Sequence, residues 1–121
     1  MTNELVWYDF SADVYRRATE NFDVSATHLV VSQVEPYVFW LNLGNVEKLA
    51  KKYNEAESAY RDGVKNFPDE PQLYLALAEL YRYNLKKPPS EVIKVYEELI
   101  RLYPQEALYK EEISALKEKA R

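Results

Sequence analysis

Apolar and polar positions alternate with the period of an α-helix from Tyr37 to the end of the chain. Within 71–84 and 90–102, the apolar side chains recur three or four residues apart, which places them on one face of a helix. These positions are Leu73, Tyr74, Leu77, Leu80 and Tyr81 in the first segment and Val92, Val95, Tyr96, Leu99 and Ile100 in the second. A helix with one apolar stripe is stable only when it packs against another element. The pattern therefore predicts packed helices.

Prolines mark the ends of these helices, because proline is accepted in the first turn of a helix or just beyond its end. We predict helices at 37–51, 54–66, 71–84, 90–102 and 105–119, which Pro68, Pro71, Pro88, Pro89 and Pro104 help to delimit. Asn54 and Ser90 have the side chains of N-cap residues. The fold class predicted for this region is all-α.

The first 36 residues are harder to interpret. Residues 4–21 have a helical pattern. Residues 24–35 include Leu29, Val30, Val31 and Val34, and this β-branched content also allows a strand. We favour a helix because every neighbouring segment is helical.

Composition narrows the range of functions. The chain has no cysteine and one histidine, His28, which removes disulfides and most metal and catalytic sites. It has two glycines, too few for a loop that binds phosphate. A net charge of −4 without a basic stripe argues against a nucleic-acid partner. We expect no enzyme activity, no cofactor and no metal.

Membrane insertion is also not expected, because no apolar run approaches the roughly 20 residues that cross a bilayer. The N-terminal residues Met1–Glu4 lack the features of a signal peptide. We therefore expect a cytoplasmic protein. A secreted or membrane-anchored protein without its leader would have the same pattern.

Residues 37–70 carry a recurring signature. Trp40, Leu43 and Gly44 have the spacing W-x2-L-G, Ala56 and Tyr60 have the spacing A-x3-aromatic, and Pro68 follows. This segment resembles one complete tetratricopeptide repeat. Glu47 departs from the pattern, because the family usually has an aromatic residue there.

A second unit follows at 71–104. Its residues that match the repeat are Tyr74, Leu77, Ala78, Tyr81, Tyr96, Leu99 and Pro104. The resemblance implies one domain over 1–121, a right-handed α-solenoid of antiparallel helix pairs with about seven helices. Its segments would be 1–36, which is helical and a candidate for a diverged repeat, then the repeats 37–70 and 71–104, and a capping helix at 105–121.

The resemblance also implies a function, since members of this family bind peptides or helices in a concave groove lined by the first helix of each pair. In this chain the groove residues would be Val38, Leu41, Asn42, Asn45, Lys48 and Leu49 from the first unit and Gln72, Leu75, Ala76, Glu79, Arg82 and Tyr83 from the second. Amide side chains can pair with a peptide backbone. Replacing Asn42 and Asn45 by alanine should thus weaken binding and leave thermal stability nearly unchanged.

The function predicted is a protein–protein interaction module, an adaptor, scaffold or assembly factor with a protein or peptide partner. The alternative is a structural domain that self-associates, for example as a homodimer, through exposed apolar and aromatic surface. Trp7, Tyr8 and Phe10 form a dense aromatic group near the N-terminus that either packs under the first unit or belongs to such a surface.

Overall fold

The computed structural model describes residues 12–17, 19–20 and 36–119, and these contain helices and turns but no strand. The helices are α1 (12–17 and 19–20), α2 (Tyr37–Leu49), α3 (Tyr53–Asn66), α4 (Pro71–Glu79, continued by a π-helical turn at Leu80–Asn84), α5 (Pro89–Leu102) and α6 (Ala107–Lys119). The prediction of an all-α fold of adjacent helix pairs is confirmed. The helix predicted at 24–35, its strand alternative, Trp7, Tyr8, Phe10 and His28 lie outside the described residues.

The chain divides into two compact units, Met1–Pro68 and Asp69–Arg121. In the first unit, α2 and α3 form a hairpin whose turn depends on Lys51. This residue has a φ of 63°, in the left-handed region that ends many helices. The backbone N–H of Lys52 donates to the carbonyl oxygen of Glu47 over 2.8 Å. The chain therefore reverses within a few residues, and α3 packs against α2.

Small and aromatic residues fill the space between α2 and α3. Trp40, Leu43, Ala56 and Tyr60 are all buried. The ring of Trp40 meets that of Phe67 edge to face, with the ring centroids 5.4 Å apart. Phe67 is half-buried, and aromatic pairs of this geometry contribute stability beyond the area that they remove from water.

Helix α1 packs against this hairpin through Ala12, which is buried in a cluster with Leu43, Val46 and Ala59, and Tyr15 lies against the same cluster. One turn further on, Arg16 forms an ion pair with Glu47 of α2. Residues of the segment 1–36 thus contribute to the core of the first unit.

In the second unit, α4 and its π-helical turn pack against α5, and α5 packs against α6. The residues that share this core are Leu73, Leu77, Leu80 and Tyr81 of α4 and its π turn, Val92, Val95, Tyr96 and Leu99 of α5, and Tyr109 and Leu116 of α6. The hydroxyl of Tyr103 donates to the carbonyl oxygen of Asp69 over 2.8 Å. This bond ties the end of α5 to the residues before α4.

The predicted N-caps of α3 and α5 are wrong. Helix α3 begins at Tyr53, with Lys52 at the N-cap, and α5 begins at Pro89, with Pro88 at the N-cap. Asn54 and Ser90 therefore lie inside the first turn. Proline suits the first turn because its missing N–H would have no partner within the helix.

Candidate protein-interaction surfaces

The residues of the repeat signature lie almost entirely in the interior. Those that are buried are Trp40, Leu43, Gly44, Ala56, Tyr60, Tyr74, Leu77, Ala78, Tyr81, Tyr96 and Leu99. Pro68 and Pro104 are exposed in the turns that follow α3 and α5. The signature therefore describes how the helices pack, and the surfaces available to a partner are formed by other residues.

The predicted groove residues of α2 are only partly accessible. Leu49 is exposed, with 56% of its surface accessible. The remaining five are half-buried: Val38, Leu41, Asn42, Asn45 and Lys48. This face of α2 therefore mixes half-buried polar and apolar side chains, and Leu49 is its exposed apolar residue.

Asn45 is held by a contact within the first unit. The buried hydroxyl of Tyr60 donates to Asn45 Oδ1 over 2.5 Å. The side-chain carbonyl of Asn45 is thus already an acceptor, so the expectation that Asn45 can be replaced without loss of stability no longer follows.

The predicted groove residues of the second unit lie on α4 and its π-helical turn. Gln72, Glu79 and Tyr83 are exposed, and Leu75 and Arg82 are half-buried. Ala76 is buried, so it contributes little contact area. The accessible residues are therefore a mixture of apolar, aromatic and charged side chains.

Four of these residues line one cleft of about 210 Å³, which we call the α4–α6 cleft. Its lining residues are Leu75, Glu79, Arg82 and Tyr83 from α4 and the π turn, Tyr96 from α5, and Leu108, Tyr109 and Glu112 from α6. Tyr83 is 63% exposed and Leu108 is 52% exposed. Two large apolar side chains at one cleft are a common feature of binding sites.

Arg82 is fixed at this cleft. Its Nη1 donates to Glu112 Oε2 over 2.8 Å, and its guanidinium carbon lies 5.4 Å from the centroid of the Tyr83 ring. The hydrogen bond to Glu112 raises the pKa of Arg82. Burial raises the pKa of Tyr96, and a hydrogen bond with Arg82 acts in the opposite direction. The charge of Arg82 is therefore held in one place beside an exposed aromatic ring.

The contribution of α6 to this cleft was not predicted, because α6 was interpreted as a solvent-facing cap. Leu108 and Glu112 are four residues apart and so lie on the same face of α6. In the sequence, Leu108 stands apart from Ile113, Leu116 and Ala120, the apolar residues that recur three or four positions apart within 105–121. This isolated leucine is the feature of the sequence that could have indicated a second apolar surface on α6.

Within 12–17, 19–20 and 36–119, no group of three or more acidic, histidine or cysteine side chains is arranged to hold a metal ion. Among the helices described above, none is long and apolar enough to span a bilayer.

The helices of this protein pack in adjacent pairs, and aromatic residues at recurring positions are buried between them. This arrangement is that of a helical-repeat protein. Residues 38–80 match the family model of the tetratricopeptide repeat, over α2, α3 and the start of the next pair. The match supports a tetratricopeptide repeat assignment for residues 38–80 and confirms the resemblance found in the sequence. Repeats of this kind generally mediate protein–protein interactions and are typically not catalytic. No curated protein matches the chain.

Proposed function

We propose that this protein is an adaptor, scaffold or assembly factor that binds a peptide or helix of a protein partner, and that it acts by binding and not by catalysis. The observation that carries the proposal is the α4–α6 cleft, where exposed Tyr83 and Leu108 lie beside the fixed pair of Arg82 and Glu112. Tyrosine and arginine are enriched among the residues that dominate binding energies.

The physical chemistry of this cleft suits a short segment with one apolar anchor. An apolar side chain of the ligand would bury surface against Tyr83 and Leu108, which are accessible to solvent. The Arg82–Glu112 pair would fix the orientation of the polar groups beside it. Because Arg82 is already held by Glu112, its side chain loses little conformational freedom when a ligand binds.

The α2 surface of the first unit is proposed as a second contact region. Asn42 and Lys48 are half-buried and polar, and Leu49 is exposed. Asn45 Oδ1 accepts a hydrogen bond from Tyr60, and this bond orients the amide group of Asn45 in the absence of a ligand. Oriented amides of this kind support recognition of a peptide backbone.

Affinity measurements with surface variants test the proposal. A random peptide library displayed on phage would be selected on the wild-type chain, and the enriched peptides titrated by calorimetry. We expect Tyr83→Ala combined with Leu108→Ala to weaken binding by about tenfold or more, since both side chains would be contact residues. Val14→Ala removes an exposed apolar side chain of α1 and is the matched control.

Unchanged affinity in the Tyr83/Leu108 double variant, with a normal thermal melt, would exclude the α4–α6 cleft as the binding site. Self-association and a cytoplasmic location remain predictions. The first is tested by the molar mass in solution over a range of concentrations: a constant monomer mass contradicts the self-associating alternative.

A further inference from the structure

Glu47 is a buried carboxylate whose hydrogen bonding is incomplete. Its side chain is 2% exposed, and Oε1 accepts from Arg16 Nη2 over 2.7 Å. Oε2 is buried and has no hydrogen-bond partner in the structure as described. A buried acceptor without a donor costs free energy, and native proteins contain few of them. Glu47 therefore has the capacity to accept a further donor.

A cleft of about 370 Å³ lies beside this carboxylate, between α1, α2 and α3 of the first unit. We call it the acidic cleft. Glu47 lines it together with Trp40, Leu43 and Ala59, so part of the lining is apolar. None of its lining residues belongs to the predicted groove or to the α4–α6 cleft. It is a separate surface.

The charge of the acidic cleft is strongly one-sided. Glu20, Glu47, Glu55 and Asp62 line it, against a single cation, Arg16, which gives a formal charge of −3. Glu20, Glu55 and Asp62 are exposed, so they are accessible to a molecule that approaches from solvent. A cleft with several carboxylates attracts cations and disfavours anions.

The sequence next to α1 does not supply such a cation. Residues 1–11 and 21–35 contain no lysine and no arginine. The acidic side chains of the described residues are also not arranged as a metal site. The complementary charge would therefore come from another molecule, as an organic cation.

An arginine side chain has the required chemistry. Its guanidinium carries five N–H donors in a planar fork that matches carboxylates, and it is more weakly hydrated than an ammonium group. Its aliphatic stem packs on apolar surface while the charged end reaches polar groups. In the acidic cleft, Leu43 and Ala59 would face the stem, and the carboxylates of Glu47 and Asp62 would face the fork.

We propose that the acidic cleft binds an arginine-bearing basic segment of a protein partner, with Glu47, Glu55 and Asp62 accepting from its guanidinium groups. This site would be additional to the peptide site of the proposed function. Since the two surfaces share no residue, a failure of either test leaves the other intact.

A fluorescein-labelled hexa-arginine peptide is a suitable probe. Fluorescence anisotropy titrations would be done at about 150 mM salt, where the Debye length is about 8 Å. Salt then screens the attraction between the peptide and acidic residues far from the cleft. In a Trp7→Phe background, Trp40 is the one remaining tryptophan of the chain, so its fluorescence reports on the cleft directly. We expect saturable binding accompanied by a change in Trp40 emission.

Charge-matched variants separate this site from general attraction to an acidic protein. Glu55→Gln with Asp62→Asn removes two carboxylates of the cleft, and Glu97→Gln with Glu111→Gln removes two exposed carboxylates of the second unit. We expect the first pair to raise the Kd by about tenfold or more and the second pair by less than about twofold. Thermal melts of both variants establish that they remain folded.

Equal weakening by the two pairs would overturn the proposal, because binding would then follow net charge alone. Absence of saturable binding to the wild-type chain, or binding without a change in Trp40 emission, would also overturn it.

Discussion

The ring of Tyr60 on α3 lies directly against Gly44 on α2, so that a methyl group on Gly44 would stand 2.2 Å from Tyr60 Cε1. Two carbon atoms that are not bonded to each other cannot lie this close, so the Tyr60 ring would have to move. Gly44 is therefore the residue that lets a large aromatic side chain fill the space between the two helices, and Tyr60 is fully buried as a result.

Replacing Gly44 by alanine is predicted to destabilise the protein. At an ordinary helix position this change stabilises by about 1 kcal/mol. Here the new methyl group would force Tyr60 to move within a packed core, and overpacking of this kind costs about 1–3 kcal/mol. Urea unfolding measures the difference. In a folded Tyr60→Leu background the same change should cost much less, and a more stable Gly44→Ala protein would contradict the packing described.

Replacing Asn45 by alanine is predicted to lower stability by about 1 kcal/mol, because the buried Tyr60 hydroxyl loses an acceptor. Asn42→Ala, which removes a half-buried amide nearby, serves as the control and should have a small effect. A double-mutant cycle with Tyr60→Phe isolates the pair. Additive effects of Asn45→Ala and Tyr60→Phe would show that the hydrogen bond contributes nothing.

Replacing Arg16 by methionine is predicted to destabilise the first unit by about 1–3 kcal/mol. Breaking a fully buried ion pair costs about 3–5 kcal/mol, and the cost is reduced here because the Arg16 side chain is 43% exposed. The control is Arg17→Met, whose ion pair with Asp13 is exposed at both ends and should matter little. The free energy of unfolding of each variant is measured in denaturant. If Arg17→Met lowers it more than Arg16→Met does, the Arg16–Glu47 pair has no structural role.

Alkaline pH is predicted to destabilise the second unit. Burial raises the pKa of Tyr74, Tyr96 and Tyr109 in the folded protein. The folded state therefore favours the protonated hydroxyl, and this contribution is complete below the unfolded pKa of about 10. It is lost as the pH rises from there through the folded values.

The measurement is the free energy of unfolding between about pH 9 and pH 11, where tyrosine ionises. Tyr96→Phe removes one of the three titrating groups, so its stability should fall less steeply with pH than that of the wild-type chain. Parallel curves for the two proteins would contradict the burial of an ionisable Tyr96 hydroxyl.

The helix pairs could be predicted because their signals are local. Trp40, Leu43 and Gly44 occur within one turn and a half of α2, and the buried stripe of α5 repeats every three or four residues. The N-caps were mispredicted because proline and lysine precede these helices where a capping side chain was expected.

The roles of Glu47 and Asn45 could not be read from the sequence in the same way. Glu47 appears as a departure from the repeat signature, and its ion-pair partner Arg16 lies 31 residues earlier. In the sequence, Asn45 resembles a surface amide. Its hydrogen-bond partner, Tyr60, lies 15 residues later and reaches it only in the folded structure. Such contacts depend on how helices pack, which the periodicity of one helix does not specify.

Some residues that line the α4–α6 cleft could be predicted from the sequence, and others could not. Leu75, Arg82 and Tyr83 were expected at the surface because of their positions in the repeat. Leu108 and Glu112 join them only because α6 packs against α5, which brings that face of α6 to the cleft.

The most direct test of binding at the α4–α6 cleft is a ¹H–¹⁵N NMR titration of the isotopically labelled chain with a peptide selected on it. If this protein binds its partner as proposed, the largest amide shift changes will fall on α4, its π-helical turn and the first half of α6, including Tyr83 and Leu108. Changes confined to other helices, with the amides of Tyr83 and Leu108 unaffected at saturation, would contradict the proposal.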